Sequence, residues 1–465
     1  MSIRIASSIA LWCMFIAAGS FTLGAEPDRS APAATWKAAT AVADITPHES
    51  MWMAGYAGRT KPSEGTALPL FCKVALFEDA AGARAAIVTV DLIGIPRALR
   101  DVVEVELRDK YGLPPEALLM NASHTHCGPE FRAAKTKTLD LSNERNRQGL
   151  AYGEALRTKI VELVGRAIDA LAPARLEYVH ARCGFAMNRR TPSESGYKNN
   201  PWSEGPVDHD VPVLRVLGAD GKLRAVLFGY ACHNTTLSFY QFCGDYAGFA
   251  QQYLEAKHPG ATAHFVMGCG GDQNPYPRGE LELCRHHGKT LGIAVEAALG
   301  ASPAREVRGP LRASLRQVTL EFAPPPPKAA LEQLTKSPNK FEARHAQRLL
   351  DELAENGSIR TTYDAPIQAL RFGDDLLLTA YPGETVVDYA LRTKREYGGG
   401  EAVWTAGYSN DVFAYVPSHR VLLEGGYEAG GAMLYGSFPG PFAVDVEDRI
   451  MRTVAEVVED VRGEK

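Results

Sequence analysis

Ala117-Leu-Leu-Met-Asn-Ala-Ser-His-Thr-His-Cys-Gly-Pro129 is the stretch on which the reading of this chain turns. The apolar run at its start reads as a buried strand, and Gly128-Pro129 breaks that strand and turns the chain. Between them stand His124 and His126. Residues i and i+2 of an extended segment project to the same face, so both imidazoles are expected in one cavity while Thr125 packs away from it. A strand that ends in two imidazoles is a common way for an α/β protein to present metal ligands or acid/base groups. The partners must come from elsewhere in the chain.

Working outward, strand and helix signals alternate. Ala85 to Leu92 reads as a buried strand and Arg100 to Tyr111 as a helix. Glu154 to Leu171 carries apolar residues at helical spacing, and Pro173 stops it. Leu176 to Cys183 is strand-like. Val211 to Leu217 and Leu223 to Tyr230 flank Asp220-Gly221, a hairpin signal. Ala247 to Ala256 reads as a helix, Ala263 to Met267 as a short strand, and Leu283 to Leu299 as a helix. After Pro324 to Pro327, residues 328–357 read as a solvent-facing helical insertion. A second hairpin, Ile367 to Arg371 and Leu376 to Ala380, turns at Gly373-Asp374 and feeds Tyr381-Pro-Gly-Glu384 and a helix. A strand at Ala402 to Ala406 and a helix at Val444 to Val461 close the chain. This alternation predicts an α/β fold, a mixed β-sheet core flanked by helices in a single large domain.

The 465 residues carry a formal net charge of −5, with 45% hydrophobic and 23% charged residues. No basic tract or aromatic RNA-binding motif is present, which argues against a nucleic-acid partner. A small-molecule or lipid substrate fits this composition, and the oligomeric state is left open. Arg4, the apolar run Ile5 to Ile16 and Leu23-Gly24-Ala25 before Glu26 read as a signal peptide cleaved near Ala25, rather than a permanent anchor. The protein is therefore expected to be exported, to a periplasm or beyond the cell. Cleavage would leave seven of the eight cysteines, an odd number, read as buried small apolar residues rather than as metal ligands.

Four other segments repeat the pattern of a strand ending in polar groups. His233 follows Ala225 to Cys232, Glu384 follows Leu376 to Ala380, and Asn410 and Tyr415 follow Val403 to Ala406. Asp272 and Asn274 stand in the loop Gly268-Cys-Gly-Gly-Asp-Gln-Asn-Pro275, which lacks the Lys-Ser/Thr of a phosphate loop. Each has a plainer reading: a satisfied structural histidine, a carboxylate at a helix N-terminus, an ordinary core tyrosine. Together they point to one shared site.

These residues also carry a resemblance. His124-Thr-His-Cys-Gly-Pro129 resembles the His-Thr-His-Ser-Gly-Pro motif of the neutral/alkaline ceramidases. Asn188-Arg189, Cys232-His233, Gly244-Asp-Tyr-Ala-Gly248 and Gly271-Asp-Gln-Asn-Pro275 are similar to family segments in the same order. So are Pro382-Gly-Glu384, Gly407-Tyr-Ser-Asn410 with Tyr415-Val416, and Tyr427-Glu-Ala-Gly-Gly-Ala-Met-Leu-Tyr-Gly436. The resemblance runs from about residue 35 to the C-terminus. It implies a catalytic zinc held by His124, His233, Glu384 and Tyr415, with His126 and Arg189 beside the water that the metal activates. His126 would move the proton, while Arg189 and Tyr415 would stabilise the oxyanion. The implied substrate is an N-acylated sphingoid lipid, presented at a membrane surface or free.

The sequence departs from the family in places. Asn274 stands where the family has serine, so a hydroxyl nucleophile is missing there while a metal-activated water is not touched. Cys127 replaces another serine, and Tyr246-Ala247 replaces an Asn-Lys pair. The family's C-terminal β-sandwich domain is expected to be absent, since the chain ends at Lys465. Hydrolysis of a different amide or ester is the alternative enzymatic reading. A metal-containing binding protein without turnover is the alternative from another class.

Overall fold

The computed structural model describes residues 36–132, 143–301 and 304–463. The signal-peptide reading therefore lies outside the described residues. Among the described residues no helix is long and apolar enough to cross a membrane.

In chain order the first elements are β1 (Trp36–Asp44), β2 (Phe71–Asp79), β3 (Arg84–Val90), α1 (Arg97–Tyr111), β4 (Leu118–Ala122), α2 (Asn143–Asp169) and β5 (Ala172–Arg182). The hairpin β6 (Ala186–Ser193) and β7 (Gly196–Trp202) precedes β8 (Asp210–Gly218), β9 (Leu223–Tyr230), α3 (Asp245–Lys257), β10 (Thr262–Met267), β11 (Gln273–Pro275) and α4 (Leu281–Leu299). Then come β12 (Arg305–Val307), β13 (Leu311–Glu321), α5 (Lys328–Leu334), α6 (Lys340–Asn356), β14 (Thr362–Phe372) and β15 (Leu376–Ala380). The last part holds β16 (Glu384–Thr385), α7 (Val387–Tyr397), β17 (Val403–Ala406), β18 (Tyr415–Val416), α8 (His419–Glu424) and α9 (Val446–Arg462).

A nine-stranded mixed sheet runs β10-β9-β8-β5-β1-β2-β3-β4. β1 pairs with β5 only over Trp36 to Ala38, and β12 takes up the next stretch of β5 at Leu176 to Tyr178. A four-stranded sheet, β13-β14-β15-β17, stacks on it. Side-chain alternation builds two cores from the same strands. In β2 and β3, Cys72, Val74, Leu76, Ala86, Val88 and Val90 join Val103 of α1 and Ile160 of α2 in the core beneath the helices. Ala75, Phe77, Ala85 and Ile87 point the other way, onto Leu370, Phe372, Leu378 and Trp404 of the second sheet. The outer face of that sheet is covered by α9 through Val454, Val457 and Val461. Strands buried on both faces read as continuous apolar runs, which is why β3, β9 and β15 stand out in the sequence.

The α/β architecture agrees with the sequence reading, but some strands escape it. β1 is rich in alanine, a weak strand former, and β7 is polar and largely exposed, so neither offers a period-2 signal. The two hairpin turns fall as expected, with Gly221 at φ 74° and Gly373 at φ 57° supplying the left-handed positions. The 328–357 segment does form helices, but it is not simply solvent-facing. Leu331, Ala346 and Leu349 build a small core. His345 Nε2 donates to Phe438 O at 2.7 Å, and Arg348 donates to the carbonyls of Leu434 and Gly436. The N-terminus of α6 thus sits against residues that wall the central cavity.

Candidate active site

Strand ends converge on one point. β4 stops at Ala122, and His124 adopts a left-handed backbone at φ 62°. The two histidines therefore do not share a face by strand alternation, as the sequence suggests. They meet because the chain turns between them. His124 N donates to Leu92 O at 2.9 Å, and Thr125 Oγ1 leaves the site to bond Cys243 O at 2.6 Å. The outcome is the expected one by a different route: the Nε2 atoms of His124 and His126 lie 3.1 Å apart.

His233 follows β9, and its Nε2 lies 3.2 Å from Glu384 Oε2 and 3.2 Å from Tyr415 Oη. Glu384 Oε2 is also 3.1 Å from His124 Nε2. Glu384 and Tyr415 are direct partners in the parallel pairing of β16 with β18, which sets their side chains together. The turn before Glu384 needs glycine: Gly383 has φ 66°, and a Cβ there would stand 2.6 Å from Ala414 O.

His124 Nδ1 contacts Ile93 O at 2.6 Å and His233 Nδ1 contacts Gly270 O at 2.7 Å. A carbonyl can only accept, so both rings carry their proton on Nδ1 and aim an Nε2 lone pair inward, the usual support of metal-bound histidines. Burial holds His233 down at about 4, assisted by the Arg189 charge and opposed by its bond to Glu384. Burial, then His124 and His233, push His126 well below the ordinary imidazole range. Burial would raise Glu384, but His124 and His233 outweigh it and hold the carboxyl well below its usual range. Neutral His126 and His233 rings and an ionised Glu384 are protonation states that suit a divalent cation. One ring nitrogen from each of His124, His126 and His233 falls within 4.8 Å of the other two. The donor set fits a metal ion, and His126 belongs to the same cluster as the two pinned histidines.

Arg189 is buried and makes one bond through each of its three nitrogens. It donates from Nε to Glu428 Oε1 at 2.8 Å, from Nη1 to Asn274 Oδ1 at 3.2 Å and from Nη2 to Tyr415 Oη at 3.0 Å. Burial raises the Tyr415 phenol well above its ordinary range, Arg189 opposes this, and Glu384 adds to it. Asn274 reaches the site through Arg189 and accepts a second bond from Thr235 at 3.2 Å. Asp272 sits one layer back, accepting from Val387 N at 2.9 Å and Asn188 Nδ2 at 3.1 Å. Asn410 is structural: Met120 N donates to its Oδ1 at 3.1 Å, and its Nδ2 bonds Gln368 at 2.7 Å.

Two groups at the site were not singled out by the sequence. Tyr408 packs against His124 with ring centroids 4.5 Å apart and planes tilted by 42°. Glu428 anchors Arg189, and its only sequence signal is membership of the run Tyr427 to Gly436. All seven cysteines among the described residues are free and buried, and none reaches the imidazole cluster.

The site opens into a cavity of about 580 Å³, walled by Met53, Ile93, Phe413, Tyr427, Met433 and Phe438 around His124, His126, Glu384 and Tyr415. A second cavity of about 380 Å³ adjoins it, with Val412, Phe413 and Phe438 common to both.

Comparison with known proteins gives this geometry a family. No curated protein matches the chain. Among solved structures, neutral ceramidase from Pseudomonas aeruginosa is similar at 22% identity, covering 92% of this chain and 75% of that one with a TM-score of 0.72. A ceramidase complexed with C2 is similar at 22% identity, with the same coverage and a TM-score of 0.71. At that identity the likeness establishes the shared fold. The family model of the neutral/alkaline non-lysosomal ceramidase N-terminal region matches residues 36–290. That match spans more than half of the chain, which therefore belongs to the neutral/alkaline non-lysosomal ceramidase family.

Proposed function

We propose that this ceramidase-like hydrolase is an exported zinc enzyme that cleaves the amide of an N-acylated, ceramide-like lipid by direct attack of water. The observation that carries the reading is an asymmetry among three histidines. His124 and His233 have Nδ1 pinned by carbonyls at 2.6 and 2.7 Å, while His126 Nδ1 has no hydrogen-bond partner among the described residues. The pinned pair, with Glu384 and Tyr415, suits zinc ligation. The unpinned ring suits proton transfer.

At such a donor set zinc supplies Lewis-acid polarisation of the amide carbonyl and a water acidic enough to ionise near neutral pH. His126, kept neutral by burial, accepts the proton of the attacking water and returns it to the leaving nitrogen. Arg189, with its charge fixed, and Tyr415 face the carbonyl oxygen as negative charge builds on it. Asn274 offers no hydroxyl for an acyl-enzyme route, which favours the single displacement. The apolar and aromatic side chains of the cavity wall support a lipid chain, and Glu130, Arg132 and Lys340 on the same wall suit a polar head group.

The test is zinc content and turnover of the purified protein against a panel of ceramides, N-acyl amides and esters. Ceramide cleavage by zinc-loaded protein supports the reading. Cleavage of other amides or esters alone shifts the substrate, and no turnover with zinc bound leaves a binding protein.

A further inference from the structure

Glu428 belongs to a motif that the chemistry above does not use. It is 3% exposed and bridges two consecutive arginines. Arg189 Nε donates to its Oε1 at 2.8 Å, and Arg190 Nη1 donates to its Oε2 at 2.6 Å. Neighbouring residues of a regular strand point to opposite faces. The register of β6 against β7 shifts between Asn188 and Arg190, and such a bulge re-aims side chains. That irregularity lets both guanidiniums reach one carboxylate.

The two arginines lead in different directions. Arg189 goes on to Tyr415 Oη and Asn274 Oδ1. Arg190, itself buried, goes on to Glu424 Oε2 at 3.1 Å and Gly425 O at 2.7 Å. Gly425 and Gly426 follow at φ 70° and 86°, and Tyr427, Met433 and Tyr435 beyond them wall the cavity. Glu428 is therefore where the cavity wall and the oxyanion-facing arginine share one anchor.

We propose that Glu428 is a positioning residue. It fixes the guanidinium of Arg189 towards Tyr415 and the reacting carbonyl, and it ties the 425–436 wall to that same guanidinium. This rests on the role proposed above for Arg189. An arginine that acts on charge developing in the transition state changes kcat more than KM when it is misplaced.

The experiment compares Glu428→Gln, Glu428→Asp and Glu424→Gln in the zinc-loaded enzyme, reading kcat, KM, zinc content and the rate of chymotrypsin cleavage after Tyr427. Glu424→Gln loosens Arg190 without touching Arg189. Glu428→Gln is expected to lower kcat by about 10- to 100-fold with KM little changed and zinc retained. Glu428→Asp should recover part of that loss, and Glu424→Gln should stay within about 3-fold of the native rate on the same scale. Native kcat in Glu428→Gln, or equal losses in Glu428→Gln and Glu424→Gln, overturns the proposal. If the native protein turns over nothing, the failure belongs to the proposed function, and proteolysis decides here. Faster cleavage in Glu428→Gln supports the anchor, and an unchanged rate overturns it.

Discussion

His126 stands 3.1 Å from His124 through their Nε2 atoms, yet only His124 has its far nitrogen held by a backbone carbonyl. That difference separates a fixed ligand from a ring free to exchange a proton. His124→Ala and His233→Ala are each expected to lose bound zinc while the fold, read by circular dichroism, survives. His126→Asn is expected to keep zinc and lose about 100-fold or more in rate, the scale of a general base. Full zinc occupancy in either alanine variant would remove the proposed ligand set.

Gly55 makes a sharper test of His126. Its φ is 95°, and a Cβ at that position would lie 2.5 Å from His126 Cγ and Nδ1. The Tyr56 ring meets the same imidazole edge-on, with centroids 4.8 Å apart, so the imidazole can yield only towards the cavity that it lines. Gly55→Ala should displace the imidazole by a fraction of an ångström or more. Misplacement on that scale costs about 100-fold in rate. Zinc content should stay near native, because neither pinned histidine touches Gly55. A fully active Gly55→Ala would show that the position of His126 does not matter to the reaction.

Much of this site is legible in the sequence because catalytic side chains sit at the ends of strands whose apolar runs are easy to read. His124, His233, Glu384 and Tyr415 all follow such runs, and all meet. What brings them together is less legible. The left-handed turn at His124 carries no signature in a histidine, and the β6 bulge that lets Arg189 and Arg190 share Glu428 lies in a polar hairpin without alternation. Glu428 itself is a single carboxylate among glycines, and only its burial and two arginine partners reveal it. The cavity's extra wall at α6 was hidden for a related reason, since a charged amphipathic helix reads as solvent-facing even when one end is docked.

His264 gives a pH-dependent prediction away from the metal cluster. It is fully buried, and neither ring nitrogen has a hydrogen-bond partner among the described residues. Burial, with the Lys73 charge nearby, holds it at about 3. The unfolded chain takes up that proton near pH 6.5. Between these values the unfolded state binds more protons, so stability falls as pH drops from about 6.5 towards 3 and is fully kept above 6.5. His264→Leu should flatten that acid limb. It should also raise stability by about 1–3 kcal/mol at neutral pH, by removing an unpaired buried polar group. Urea unfolding at pH 4.5 and 7.5 checks both, and an unchanged pH slope in His264→Leu would assign the acid limb to other groups.

Asn121 joins the fold to the site. Its side-chain amide acts as a missing strand rung: Met267 N donates to Oδ1 at 2.8 Å, and Nδ2 donates to Met267 O at 3.2 Å and Gly407 O at 2.7 Å. It thereby stitches together the ends of β4, β10 and β17, which lie in two different sheets. His124 is three residues downstream, and Glu384 follows β15, the strand paired with β17. Asn121→Ala leaves the buried Met267 N–H without its partner, at about 1–3 kcal/mol if unrelieved, while Met267 O keeps Gly407 N at 3.0 Å and Gly407 O keeps Ser409 Oγ at 2.8 Å. Asn121→Asp keeps the acceptor but loses both donors and buries a charge, so it should be at least as damaging. Loss of the rung is expected to weaken zinc binding before global unfolding, because the strand ends that carry His124 and Glu384 would separate first. Zinc titration and thermal melts of Asn121→Ala in parallel decide this: a lowered melting temperature with native zinc affinity would mean that the rung serves the sheets alone.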